Sequence, residues 1–300
     1  RGRNYATGRV GTPTDFVSFH AKGAPSFVDG HVRLGISAQL SEISRGFAMI
    51  AAVPELRGKP IVIGESDPDG CAACLGPQLG YRAGTMYSSY TAASLAREFA
   101  LADRSGVDLE GALTWAFEFE DQPYFAGQRV LSSNGIDLPV MNVFRMLSRM
   151  GGRRVEATST AEVPLDAIVR EGVRGAPDVA ALASLDGGRL CVLAWHYHDD
   201  DIPGPDARVE LELANLPFRG ASARLAHYRI DAGHSNAYAQ WRSLGSPIAP
   251  SEAQYAVMKA AGGLATLADA PREVAVAGGA AALAFSLPRG AVSLLTLEAP

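Results

Sequence analysis

The sequence predicts an α/β region followed by an all-β region within one chain of 300 residues. Between residues 15 and 150, runs rich in β-branched and aromatic residues alternate with stretches whose apolar residues recur every three or four positions. That is the βα alternation of a parallel sheet or barrel. From about residue 154 the helical period gives way to short alternating runs separated by turn residues, the pattern of an antiparallel sandwich of about 130 to 150 residues. The division is expected at 152/153, giving regions 1–152 and 153–300.

Residues 1–14, rich in Gly and Arg, read as a loop. Residues 15–20 form a strand candidate ending at His20. Over 38–53 the apolar residues Leu40, Ile43, Phe47 and Ile50 follow helical spacing, and Pro54 stops the helix. Ile61-Val62-Ile63 then reads as a short strand, 61–64, buried on both faces, which breaks off in the polar turn Gly64-Glu65-Ser66-Asp67-Pro68. A second helix is expected over 89–102, with Leu95 and Phe99 on one face. Residues 111–117 read as a third buried strand, and 139–150 as a third helix ended by Gly151-Gly152. Three strands cannot close a barrel, which takes eight in about 250 residues. In the second region, 179–185 and 189–195 flank Asp186-Gly187-Gly188, a hairpin signal. Residues 209–213, 283–287 and 292–294 alternate, and one helical insert is expected over 251–261.

Net charge of −5 argues against a nucleic-acid partner or an anionic membrane held by electrostatics. No run approaches the ~18 apolar residues that span a bilayer. The opening Arg1-Gly2-Arg3-Asn4-Tyr5 lacks a signal-peptide pattern and reads as a cut through a larger protein. The compartment, cytoplasmic or periplasmic, and the oligomeric state stay open. Cys71, Cys74 and Cys191 make no disulfide framework, and one CxxC without a second pair is not a zinc site, so free thiols packed in a loop are expected. His196-Tyr197-His198-Asp199-Asp200-Asp201 has metal-ligand residue types. Neighbours on a strand point to opposite faces, however, and a solvated loop between sandwich strands is the expectation. With no phosphate loop, dinucleotide fingerprint or nucleophile elbow, no cofactor is expected.

Barrel enzymes keep catalytic groups at the carboxyl ends of their strands, and here those ends carry His20, Glu65, and Trp115 with Glu118 behind it. Two carboxylates flanking a glycosidic bond are the minimum for sugar hydrolysis, one ionised and one protonated. Glu65 is the candidate nucleophile. Glu118 and Glu120 suit hydrogen bonds to sugar hydroxyls better than proton donation. Trp115 and Phe117 are candidates to stack on a sugar face, and His20 to bond a hydroxyl or position Glu65.

Several of these strings together resemble glycoside hydrolase family 39, the bacterial β-xylosidases. Residues 12–23 resemble the family's sixth barrel strand, 60–67 its seventh, and 113–117 with 139–147 its eighth strand and helix. Residues 195–201, 227–231 and His234-Ser235-Asn236 resemble its accessory β-sandwich. The order is collinear over essentially the whole chain. The resemblance implies the last three strands of a (β/α)8 barrel followed by an antiparallel sandwich, about five βα units being absent. It implies a retaining mechanism on terminal β-1,4-linked xylose of xylo-oligosaccharides or another small glycoside, with Glu65 as nucleophile. The family's acid/base Glu, in an Asn-Glu-Pro motif, has no match here and is expected upstream. Lys22 stands where the family often has an aromatic residue. Ser66 and Asp67 stand where some members have Asn and Tyr, and Lys22 and Asp67 join the expected substrate contacts. The alternatives are an α-L-iduronidase-like or arabinosidase activity, or a non-catalytic carbohydrate-binding protein. The sandwich is expected to buttress the barrel.

Overall fold

The computed structural model describes residues 2–218 and 220–300; Arg1, where the expected opening loop begins, lies outside them. Strands Val17–Lys22, Pro60–Asp67 and Asp108–Ala112 form a parallel sheet with Pro60–Asp67 in the centre. Parallel neighbours need a crossover. Helices Ile36–Ala52 and Thr85–Ser105 supply the two crossovers, and helix Pro139–Leu147 follows the third strand. Leu40, Ile43, Phe47 and Ile50 are buried as their spacing requires, and they share one apolar cluster with Ile61 and Ile63. The second helix starts four residues before its expected start and closes on Gly106, whose φ of 62° is the left-handed cap that glycine adopts without strain.

The third strand lies earlier than its sequence pattern indicates. The β-forming residues of 111–117 do not build it; Asp108–Ala112, with two acidic residues, does. Leu113 still exchanges backbone bonds with Ile63 O (2.9 Å) and Ser66 N (2.6 Å). Beyond it, Thr114 and Trp115 turn away to bond Asp67, and Phe117 is 64% exposed.

The second region contains seven antiparallel strands in one sheet. Their order is Ala265–Thr266, Ser222–Ile230, Val292–Glu298, Arg189–Tyr197, Asp178–Asp186 and Arg153–Val155, with Glu273–Ala275 pairing beside Ser222–Ile230. Ala207–Leu213 and Ala281–Leu287 pair as a second sheet. Strand Arg189–Tyr197 is buried on both faces. Cys191, Leu193, Trp195 and Tyr197 enter the cluster shared with the parallel region, whereas Leu190 and Val192 pack with Leu211, Leu283 and Phe285 of the second sheet. The expected insert is helix Glu252–Ala261, opened by a reciprocal Ser251–Gln254 capping box. Two further helices, Leu165–Glu171 and Ala237–Ser243, are too short to leave a clear period in the sequence.

Two readings are corrected. Cys71 and Cys74 are disulfide-bonded rather than free, while Cys191 is a buried thiol. A tight turn, closed by Cys74 N on Cys71 O, sets their Cα atoms 5.5 Å apart, within disulfide reach. Reduction, or Cys74→Ser, is expected to cost about 2 kcal/mol or less, the chain-entropy value for so short a loop. It would be read as a small fall in Tm with dithiothreitol. Residues 196–200 are not a solvated loop but a buried seam between the two regions. Tyr197 OH and Val173 N bond the two oxygens of Asp199 (2.6 and 3.0 Å), Leu34 N bonds its carbonyl (2.7 Å), and Arg33 pairs with Asp200. Burial pushes the Asp199 carboxyl up to about 6. Arg97 of the second helix crosses the same seam to Asp178 (2.6 Å), which also accepts from Trp195 Nε1 (2.8 Å). Among the described residues no helix is long and apolar enough to cross a membrane, and no group of three His, Cys, Asp or Glu is set to hold a metal ion.

Candidate active site

The site forms at the carboxyl ends of the first two parallel strands. His20 pairs in register with Glu65, and Lys22 with Asp67. The ladder slips between Phe19 and His20, so Gly64 and Glu65 together face one residue of the neighbouring strand. This β-bulge breaks the alternation of faces. Ile61 and Ile63 pack on the helical side, and so does Ser66, bonded to Gln39 and Glu98 of the two helices. An unbroken strand would have put Glu65, not Ser66, on that buried face. The bulge turns the Glu65 carboxylate to the open face instead, a known use of bulges beside active sites. Glycine at 64 allows the close approach: a Cβ there would lie 2.9 Å from Ser18 Oγ and 3.2 Å from the His20 ring, so both side chains would have to shift.

Glu65 is 31% exposed at its side chain. Lys22 Nζ bridges Glu65 and Asp67. His20 Nδ1 lies 3.9 Å from Glu65 Oε2, too far for a hydrogen bond. Asp67 is fully buried and surrounded by donors. Its Oδ1 accepts from Thr114 Oγ1 (2.6 Å) and Trp115 N (3.3 Å), and Arg129 Nη1 lies 2.7 Å away as an ion pair without hydrogen-bond alignment. Arg129 continues to Asp69 (3.4 Å), and Arg82 grips Asp69 with two nitrogens (2.8 and 3.1 Å). Arg82 also donates to the carbonyls of Cys71 (2.6 Å), Cys74 (2.7 Å) and Gly127 (3.0 Å), so the disulfide loop is wrapped around its guanidinium.

The Lys22 bond, aided by the charges of Lys22, His20 and Arg129, holds the Glu65 carboxyl below its ordinary value despite partial burial. A lowered folded-state pKa contributes stability above the unfolded value that is lost as pH falls through the folded one. Lys22→Met is expected to raise the pKa of the Glu65 carboxyl, read from an NMR titration.

The structure brings His20, Lys22, Glu65, Asp67 and the Trp115 backbone together. Trp115 packs against Phe117 with the rings tilted by 49° and centroids 4.7 Å apart. Glu118 is exposed and engaged elsewhere, capping a turn through Ser132 Oγ (2.7 Å) and Gly135 N (2.9 Å), and Glu120 is exposed. Sequence reading missed Thr114, Arg129, Asp69 and Arg82. For Arg129 one signal existed, a lone cation in the small and apolar stretch Ala126-Gly127-Gln128-Arg129-Val130-Leu131.

The cluster of ionised side chains lies at the carboxyl ends of parallel strands, the end of the sheet at which α/β enzymes place their sites. The family described as glycosyl hydrolases family 39 matches residues 4–280, and the chain belongs to it. The α-L-iduronidase of Canis lupus familiaris is 26% identical over 299 residues, covering 92% of this chain and 43% of that protein. Among solved structures, the bacterial orthologue of human α-L-iduronidase superposes with a TM-score of 0.76 at 21% identity, over 100% of this chain and 51% of that one. A monomeric β-xylosidase from Caulobacter crescentus CB15 superposes with a TM-score of 0.70 at 18% identity, over 96% and 56%. The mixed α/β architecture with several sheets is thus similar to that of family 39 enzymes. The chain spans about half the length, or less, of the relatives it matches.

Proposed function

We propose that residues 1–152 are the C-terminal part of a (β/α)8 barrel and residues 153–300 an accessory β-sandwich. In this reading Glu65 is the nucleophile of a retaining glycosidase whose acid/base Glu lies upstream of this chain. The observation that carries it is the Glu65 carboxylate, turned by the bulge onto the open face and kept ionised by Lys22. A nucleophile must be charged and reachable, and Glu65 is both. Asp67, expected among the substrate contacts, is instead fully buried and bound to four groups, a scaffold for Lys22. His20 and Trp115 contact the sugar, with Phe117, Glu118 and Glu120 further out. The acid/base carboxyl of the intact site lies about 5 to 5.5 Å from Glu65, as retention requires.

The sugar is a terminal pyranose. β-1,4-Linked xylose of xylo-oligosaccharides is the reading that the family resemblance supports. A specific observation favours a second one, an α-L-iduronide. The curated relatives found, matched over 92% and 86% of this chain, are α-L-iduronidases. The full-length protein is assayed on aryl β-D-xyloside, α-L-arabinoside and α-L-iduronide, with product anomers followed by NMR. One preferred glycoside with retained configuration supports the proposal. Inverted product overturns the mechanism, and no hydrolysis of any glycoside leaves the carbohydrate-binding alternative.

A further inference from the structure

We propose that Glu98 is a positioning residue for the reaction, a neutral carboxylic acid that fixes the end of the central strand through Ser66; this rests on the reading of Glu65 as the nucleophile. Ser66 follows Glu65 directly and points the other way, into the helical layer. Its hydroxyl donates to Glu98 Oε1 (2.6 Å) and accepts from Gln39 Nε2 (2.7 Å), and Tyr90 OH closes the network on Gln39 Oε1. Its backbone N–H bonds Leu113 O (2.6 Å). The peptide after the nucleophile is thus held on both sides, and the freedom of the bulge is removed where it would matter most.

Glu98 is fully buried, and its Oε2 has no partner. An ionised carboxylate with one oxygen orphaned in a buried layer costs more than a protonated one. The donor pattern agrees: Oε1 accepts, as a carbonyl does, which leaves the proton on Oε2. Burial pushes this carboxyl up to about 8, and the negative charge of Asp67 adds to the effect. Tyr90 on its own helix is linked to it through Gln39, and Asp67, paired in turn with Lys22 and Arg129, is the charged group that acts on it across the strand. Kept neutral, Glu98 orders the strand end without adding a third negative charge beside Glu65 and Asp67.

The test uses the full-length protein, with active sites counted by a fluoroglycoside that traps the nucleophile. Glu98→Ala is expected to lower kcat per titrated site about 10- to 100-fold with KM changed less than about threefold, since the hydroxyl it anchors does not touch substrate. Glu98→Gln, which presents the same carbonyl to Ser66, is expected to keep kcat within about threefold. Ser66→Ala should reproduce most of the Glu98→Ala loss, and the double variant should add little to it. Glu98→Gln falling as far as Glu98→Ala overturns the neutral-acid assignment. Unchanged kcat in both Glu98→Ala and Ser66→Ala overturns the positioning role. If Glu98→Ala does not fold, Ser66→Ala and Glu98→Gln still decide. Failure of the nucleophile reading itself is seen separately, as activity that survives Glu65→Ala.

Discussion

Glu65→Ala in the full-length protein is expected to lower kcat on an aryl glycoside by on the order of 10⁴-fold or more, the size of loss that follows removal of a covalent nucleophile. The fold should survive it. Glu65 is partly exposed, and Lys22 keeps Asp67 as partner, so the lost ion pair is the kind worth little to stability. The truncated side chain leaves room for a small anion on the open face. Azide should therefore restore part of the rate and yield a glycosyl azide of inverted configuration, identified by NMR. Near-normal hydrolysis by Glu65→Ala would remove the carboxylate from the mechanism.

The second large effect is on stability. Arg129→Leu is expected to destabilise the protein by about 3–5 kcal/mol, the usual result of leaving a buried charge without its partner. Arg129 is 1% exposed and links Asp67 to Asp69. Both carboxylates are at most 4% exposed at the side chain, so water cannot take over the role of the guanidinium. Arg82 still covers Asp69 in the variant, so Asp67, left with Lys22, bears most of the loss. At roughly 2–4 °C per kcal/mol for a chain of this size, the fall in Tm is about 6–20 °C by calorimetry. Arg208→Ala is the control. The Arg208–Glu210 pair is exposed on both sides and should leave Tm unchanged within error.

Much of the architecture was legible because it is written in local periodicity. The helical spacing of Leu40, Ile43, Phe47 and Ile50, the hairpin at Asp186-Gly187-Gly188 and the helical insert over 251–261 all express themselves within a few residues. Glu65 was legible because a carboxylate directly after an apolar strand is conspicuous. What was not legible depends on partners distant in sequence. Residues 114–117 have strand propensity, but Asp67, some 47 residues earlier, draws Thr114 and Trp115 off the sheet. The bulge at Gly64 is a matter of register with Phe19 and His20, and no local pattern reports it. Arg129 sits in a loop whose sequence carries no period. Residues 196–200 look hydrophilic, yet Arg33, Leu34 and Val173 bond Asp199 and Asp200 and permit their burial. The spacing of the CxxC, which points to free thiols, does not report the turn that pairs Cys71 with Cys74.

The chain of charges behind Glu65 has a consequence over the catalytic cycle. Lys22, Arg82 and Arg129 stand against Glu65, Asp67 and Asp69, three cations to three anions, so the resting site is neutral. Esterification of Glu65 in the proposed glycosyl-enzyme removes one anion and leaves an excess of one positive charge, on Lys22 at the open face. At an effective dielectric of about 20, a unit charge about 4 Å away is worth roughly 4 kcal/mol. The excess favours the hydroxide-like character that an incoming water gains in the second half-reaction, and carboxylate release restores neutrality. In the proposed reaction each turnover would cycle the site between neutral and cationic, with Lys22, held by Asp67, carrying the excess.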